Sequence, residues 1–328
     1  MALIPENKKH EAQILAGTKG RKMGHEFENR IAEIINAVDW SKEPVEELAL
    51  TKNIFFGDPA VEIVKYILKS EKINSVKYVK ASWLGGLATS GLGHVVKDEQ
   101  GHAITKSKSD IILELATSNT IKIIGISIKS CNAKSPTNAQ LYFSTASAFS
   151  QLLRNNGIEV SVEAEESLKM FCGNTGYQPV DSATTAGRLS DNRRYFWEEL
   201  PESGRNELET LFSQKQGVIT NLLLRKAYKD DPFAPSYVVH KTKKSEKFDK
   251  TEIAIYSIDE LVALSEGFAG FQLKPYHIRK GAFKNDPNEH WAPRFGVVQM
   301  QRGGQKQHPT QLQFNLQAGY FYKLAGLS

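Results

Sequence analysis

Two apolar runs separated by three polar residues limit this chain more than any other feature. "SDIILELA" covers residues 109–116 and "TIKIIGISIKS" covers residues 120–130, with Thr117, Ser118 and Asn119 between them. Short apolar runs rich in β-branched residues and bounded by turn formers read as buried strands, and a connection this short predicts an antiparallel hairpin. The start of the first strand then lies beside the end of the second, which brings Asp110 near Ser127 and Lys129. Side chains alternate along a strand, so Ser127 and Lys129 share one face while Ile126 and Ile128 point into the core. A carboxylate and an ammonium thus meet at the rim of a sheet. Such a pair can be a plain salt bridge. It is also what phosphodiester hydrolysis requires, a carboxylate to hold Mg²⁺ and a cation to orient water and offset developing charge.

The rest of the chain agrees with a folded protein that meets a polyanion. Of 328 residues 40% are hydrophobic, enough for a core and for one large domain or two ordinary ones. Cys131 and Cys172 are too few for a disulfide framework and lack the paired spacing of a zinc site, which fits a reducing compartment. The start, "MALIPENKKHEAQ", has no apolar signal core, and 18 apolar residues never run together. The expected location is therefore cytoplasmic, with no membrane partner. Formal net charge is only +5, but residues 290–328 carry Arg294, Arg302, Lys306 and Lys323 and not one acid. A basic terminus rich in amides and aromatics points to a nucleic acid, although a solvated face has the same composition.

Helical spacing marks "GHEFENRIAEIINAVDW", where Phe27, Ile31, Ile34 and Ile35 form one stripe. A second helix is expected in "DPAVEIVKYILKS", with Asp58 as N-cap and Pro59 in the first turn. "WLGGLATSGLGH" is glycine-rich but lacks the spacing of a phosphate-binding loop. "TNAQLYFSTASAFSQLLR" reads as helix, "IEVSVEA" as strand, and residues 190–229 as mainly helical. After Pro232 and Pro235 the pattern returns to strand. In the tail, Val298 and Met300, then Leu312, Phe314 and Leu316, alternate with amides around Gly303 and Gly304, as in a two-faced hairpin.

With these pieces in order, "KSDIILELATSNTIKIIGISIKS" resembles the PD-(D/E)xK motif of type II restriction endonucleases. "GISIKS" followed by "PTNAQ" is similar to a branch with serine in the acidic position. "GHEFENRIAEIIN" resembles the first helix of that fold, and "GVVQMQRGGQKQHPTQLQFNL" a restriction-enzyme C-terminal segment. The resemblance implies an α/β fold, with a restriction-endonuclease-like mixed central sheet flanked by helices, a helical insertion and a C-terminal β-hairpin element. It implies a Mg²⁺-dependent endonuclease with Asp110 as metal ligand and Lys129 as catalytic lysine. Ser109 replaces the motif's proline, which is not a ligand. Ser127 is the larger departure, because a neutral hydroxyl is a weak Mg²⁺ ligand. Glu114 shares the face of Asp110 but lies about 13 Å along the strand. Glu28 can approach from the first helix and is the preferred second acid, against its reading as a solvent-facing glutamate.

Base reading is assigned to the tail, since a β-ribbon fits the major groove and Arg, Gln and Asn clasp base edges. Gln299, Gln301, Arg302, Gln305, Lys306, Gln313 and Asn315 are expected on one face of that ribbon. Asn138 and Gln140 either touch phosphate or cap the following helix. His240 reads as a satisfied strand-end histidine before a base, and Arg193 and Arg194 as surface arginines before phosphate grips. The expected division is a catalytic core over residues 1–165, a mainly helical region over 166–236 and a β-rich recognition region over 237–328, with soft boundaries. The expected activity is sequence-specific hydrolysis of double-stranded DNA to 5′-phosphates by a homodimer, beside a cognate DNA methyltransferase as genetic partner. A catalytically silent DNA-binding protein, or a repair or transposition nuclease, stands as the alternative.

Overall fold

In the computed structural model the described residues are 7–43, 53–85, 97, 101–103, 107–134, 138–181, 193–226, 231–278, 287–302, 310–317, 321 and 323. In chain order the elements are α1 (Lys8–Ala37), β1 (Ile54–Gly57), α2 (Pro59–Ser70), β2 (Tyr78–Trp83), β3 (Ile111–Ala116) and β4 (Ile121–Ser130). There follow β5 (Ala139–Thr145), α3 (Ala146–Arg154), α4 (Val162–Cys172), α5 (Glu202–Gln214), α6 (Gln216–Arg225) and β6 (Pro235–Lys241). The chain continues through β7 (Thr251–Ser257), α7 (Ile258–Phe268), β8 (Phe271–Tyr276), β9 (His290–Phe295), β10 (Val298–Arg302) and β11 (Gln311–Leu316). It forms two compact units, both discontinuous: residues 1–139, 224–262 and 317–328, and residues 140–223 and 263–316. No helix among the described residues is long and apolar enough to cross a membrane.

The first unit is a mixed α/β assembly. Its six-stranded sheet has the order β1-β7-β6-β4-β3-β2, antiparallel at every junction except β4 with β6, which is parallel. The β3–β4 pair is the hairpin the sequence predicts, with Ile111 opposite Ile126 and Ala116 opposite Ile121. Its turn is held by Thr117, whose backbone N donates to Thr120 O at 2.9 Å while its hydroxyl accepts from Thr120 N at 3.1 Å. Helices α1 and α2 cover one face, burying Phe27, Ile31, Ile35, Ile63, Val64 and Ile67 against Ile111, Leu113, Ile126 and Ile128. Each such side chain contributes about 1.5–3 kcal/mol by leaving water. Asp58 caps α2 by accepting from Ala60 N at 2.9 Å, and Pro59 supplies its first turn without forfeiting a hydrogen bond.

Gly125 is required by close approach. A Cβ there would lie 2.9 Å from Phe233 O and 3.0 Å from Ala234 O, and against the Ser109 hydroxyl. The β4–β6 register shifts between Gly125 and Ile126, where β6 carries the extra residue, so the alternation of β4 runs on unbroken to Ser127 and Lys129.

The second unit holds a five-stranded sheet in the order β5-β11-β10-β9-β8. The Val298 and Met300 face pairs with Leu316, Phe314 and Leu312, and all five are fully buried. Phe149 packs on Phe314 at 4.6 Å between centroids and Phe212 stacks on Phe295 at 5.1 Å.

Two elements differ from their sequence reading. Residues 139–145 form strand β5, and helix starts only at Ala146, because Thr145 caps α3 through Ala148 N and fixes the boundary. "IEVSVEA" is not a strand: Ser161 accepts from Ala164 N at 3.0 Å and starts α4 at Val162. Capping hydroxyls decide both, where the apolar pattern was ambiguous. The turn at Gly303 and Gly304, and most of "WLGGLATSGLGH", lie outside the described residues.

Candidate active site

Asp110 precedes β3, and Lys129 is the penultimate residue of β4, on the face away from α2. The pairing of Asp110 N with Ile126 O at 2.8 Å carries the ladder one residue beyond the strand and fixes the aspartate backbone. Asp110 Oδ2 accepts from Ile128 N at 2.5 Å and from Ser127 Oγ at 3.4 Å, and lies 3.5 Å from Lys129 Nζ. Lys129 Nζ donates to Ser127 Oγ at 2.9 Å and to Ile128 O at 3.0 Å. Ser127 is buried and bridges the two charges. The lysine side chain is 17% exposed and the aspartate 28%, so the pair is shielded but reachable.

Glu28 joins them from α1. Its Oε2 accepts from Trp83 Nε1 at 3.2 Å, which holds the carboxyl at the end of β2. Burial, then the negative charge of Asp110, pushes its pKa up to about 7, while the Trp83 hydrogen bond and Lys129 act against the rise. Glu114, discounted on distance, is engaged by Tyr78 OH at 2.5 Å. A buried carboxyl whose rise in pKa is reinforced by a neighbouring carboxylate forms with it a donor pair that a divalent cation would stabilise. Mg²⁺ takes one or two carboxylates and completes its shell with water and phosphate, so Asp110 and Glu28 fit it. Among the described residues no group of three or more His, Cys, Asp or Glu side chains offers a metal cage.

Two residues of this site, Lys108 and Asp231, escaped sequence reasoning, and His240 differs from its reading. Lys108 is 7% exposed, and burial, reinforced by the like charge of Lys129, brings its pKa down to about 7 against the pull of Asp110 and Asp231. Asp231 anchors the segment leading to Asp110: its Oδ2 accepts from Lys108 N at 2.7 Å and Ser107 Oγ at 3.3 Å, and its Oδ1 accepts from Phe233 N at 2.9 Å. Ser109 donates to Phe233 O on the same segment. The only trace of this in the chain is Asp231 standing before Pro232, a common turn signal. His240, opposite Lys129 in the β4–β6 register, is 1% exposed. Neither of its ring nitrogens has a hydrogen-bond partner among the described residues, contrary to the satisfied histidine expected there. Burial, then the charge of Lys129, lowers its pKa to about 4.

The other expected DNA-facing residues are scattered. Asn138 and Gln140 are exposed, and it is Thr145 that caps the next helix. Gln299 lies opposite Asn315 and Gln301 opposite Gln313 on the polar face of the β10–β11 ribbon, where Asn315 Nδ2 donates to Gln301 Oε1 at 3.3 Å. Arg302 departs from that face. It follows Val298 and Met300 in the alternation, donates to Tyr195 O at 2.6 Å and lies 4.5 Å from the Phe196 ring centroid. Gln305 and Lys306 lie outside the described residues. Arg193 is exposed and Arg194 half-buried.

The fold and rim together define a mixed α/β protein with a carboxylate, hydroxyl and lysine cluster at the edge of its larger sheet. No family model matches the chain. No curated protein matches it. Among solved structures it is similar to the restriction endonuclease MspI in complex with its cognate DNA, at 13% identity over 78% of each chain, with a TM-score of 0.45. The functional reading therefore rests on the side chains.

Proposed function

We propose that the protein is a Mg²⁺-dependent type II restriction endonuclease of the PD-(D/E)xK class, with serine in the acidic position, acting on double-stranded DNA. The observation that carries this reading is the meeting of Asp110, Ser127 and Lys129 within 3.5 Å at the sheet rim, beside Glu28. Asp110 and Glu28 would hold the ion. When bound, Mg²⁺ supplies positive charge against the scissile phosphate. Lys129 orients the attacking water and offsets charge that develops on the phosphate. Ser127 fixes the lysine head by accepting its hydrogen bond at 2.9 Å. Ile128 N holds Oδ2 of Asp110 and so fixes the carboxylate that would take the ion. Asp231 keeps the preceding loop from drifting, and a displacement of about 1 Å in such a group costs on the order of 100-fold in rate.

Gln299, Gln301, Gln313 and Asn315 offer amides for base edges in the major groove, with Gln305 and Lys306 beyond the ribbon's described part. Asn138 and Gln140 are exposed donors for the backbone, and Arg302 would act from the opposite face of the ribbon. A palindromic site would be cut by a homodimer in the cytoplasm, leaving 5′-phosphates, with a DNA methyltransferase protecting the host.

The test is plasmid digestion. Wild-type protein with Mg²⁺ should give fragments of fixed length, and Asp110→Ala and Lys129→Ala should each lower the rate by about 10³-fold. No cutting across varied plasmids refutes the nuclease. Salt-sensitive DNA binding that is unchanged by Mg²⁺ and brings no cutting would instead select the silent binding protein, the reading that Ser127 favours. Fragments without fixed ends would select a repair or transposition nuclease.

A further inference from the structure

We infer that the middle of α1, from Thr18 to Asn29, is a phosphate-binding arm that grips one strand of duplex DNA beside the cleavage site. The inference rests on the nuclease reading, but its observations are separate. Thr18, Lys22, His25 and Asn29 recur at intervals of four, three and four residues and so form one stripe on α1, with Arg21 on its flank. With Glu26 and Trp83 they line a groove of about 530 Å³. Five of its seven lining side chains are hydrogen-bond donors on the helix. The one acid, Glu26, stands 4.0 Å from Lys22 as an exposed ion pair that solvent screens.

The groove leads to the catalytic rim. Trp83 lines it, and the same indole donates to Glu28; the His25 ring lies 6.0 Å from that indole. Packing does not account for this part of the helix. From Asn7 to Glu26 no described side chain is buried, whereas Phe27, Ile31, Ala32 and Ile35 are. Several turns of α1 thus extend beyond the core that stabilises it, carrying donors on the side that meets Trp83. The span from Thr18 to Asn29 is about 16 Å at 1.5 Å per residue. That is the axial length of about five nucleotides of one DNA strand. Evenly spaced donors without an acceptor code suit phosphates, which repeat regularly and carry no sequence information. On this geometry α1 sets where the duplex lies.

Duplex binding in EDTA as a function of salt tests the arm without interference from cutting. Each phosphate that the protein ceases to neutralise should lower the slope of log affinity against log salt by about 0.9. Arg21→Ala/Lys22→Ala should therefore lower it by about 1.8, equally on every sequence. Arg21→Ala/Lys22→Arg, which keeps one of the two cations, should recover about half of that difference. Lys77→Ala, just before the opposite end of β2 and about 20 Å along the strand from Trp83, should leave the slope unchanged. The groove residues are exposed or half-buried, so thermal unfolding of the variants should match wild type and exclude misfolding as the cause. An unchanged slope in the double variant, or an equal fall with Lys77→Ala, overturns the arm and leaves the nuclease standing. Wild-type protein that binds no duplex overturns both.

Discussion

The ionisable groups at the rim of the first unit and those around His290 in the second are handled in opposite ways. Around His290 and Gln216 they are matched, although elsewhere in that unit the Ser150, Ser167 and Thr220 hydroxyls and Asn174 Oδ1 have no hydrogen-bond partner among the described residues. His290, fully buried, meets Glu198 Oε1 at 2.7 Å, and Glu198 Oε2 also accepts from Trp291 N at 3.3 Å. Gln216 Nε2 donates to Ser265 O at 3.1 Å and Ala269 O at 3.0 Å. Ser161 N donates to Glu207 Oε1 at 2.8 Å. In the first unit the rim gathers groups that oppose one another: Glu28 is held up near 7, Lys108 is drawn down near 7, and His240 is buried with both nitrogens unpartnered among the described residues. Matched polar groups lower the free energy of the fold, whereas conflicting ones raise it and persist where chemistry uses them. The contrast separates polar groups that support the fold from polar groups that oppose one another, as expected of the proposed site.

The contrast can be tested through stability. The largest effect belongs to the matched cluster around His290. Glu198→Ala leaves His290 and Trp291 N without their acceptor and should cost about 3 kcal/mol in denaturant unfolding, since each buried group left unpaired costs about 1–3 kcal/mol. A loss below about 1 kcal/mol would show that this cluster is not organised as described.

His240 comes next and depends on pH. Its folded pKa, about 4, lies below the ordinary 6.5, so between these values the unfolded chain binds the extra proton. The neutral ring's contribution is complete above pH 6.5 and is lost as pH falls toward 4. His240→Leu should therefore gain on wild type by about 3 kcal/mol from about pH 7 to about pH 4. Parallel stability curves for the two proteins would contradict this.

The smallest effect is at Lys129. Lys129→Met removes one of the conflicting charges, so its stability should stay within about 1 kcal/mol of wild type or exceed it, although the proposed cleavage would be lost. A loss of about 3 kcal/mol or more would mean that Lys129 supports the fold, and the contrast would fail there.

Much of the rim was legible because hairpin geometry is local. A three-residue turn and a period of two place Asp110, Ser127 and Lys129 together with no further information. The amide face of the β10–β11 ribbon was legible for the same reason, except at Arg302. Local alternation cannot reveal that the guanidinium would find Phe196 and Tyr195, over a hundred residues away. Glu28 could be nominated from its helix, but its raised pKa follows from burial, which no spacing encodes. Asp231 was invisible, because a carboxylate that binds backbone 123 residues away resembles any other turn aspartate.

The sequence alone determined the strands that carry the cluster, the helical stripe of Phe27, Ile31 and Ile35, and the sidedness of the C-terminal ribbon. These follow from periodicity, which neighbouring residues share. Tertiary structure decided the rest. It wove each unit from distant segments, brought β6 alongside β4 in parallel, set His240 beside Lys129 and carried Glu28 to Asp110. Those outcomes depend on residues far apart in the chain meeting one another, and their energies arise only when burial removes the water that would otherwise screen each charge.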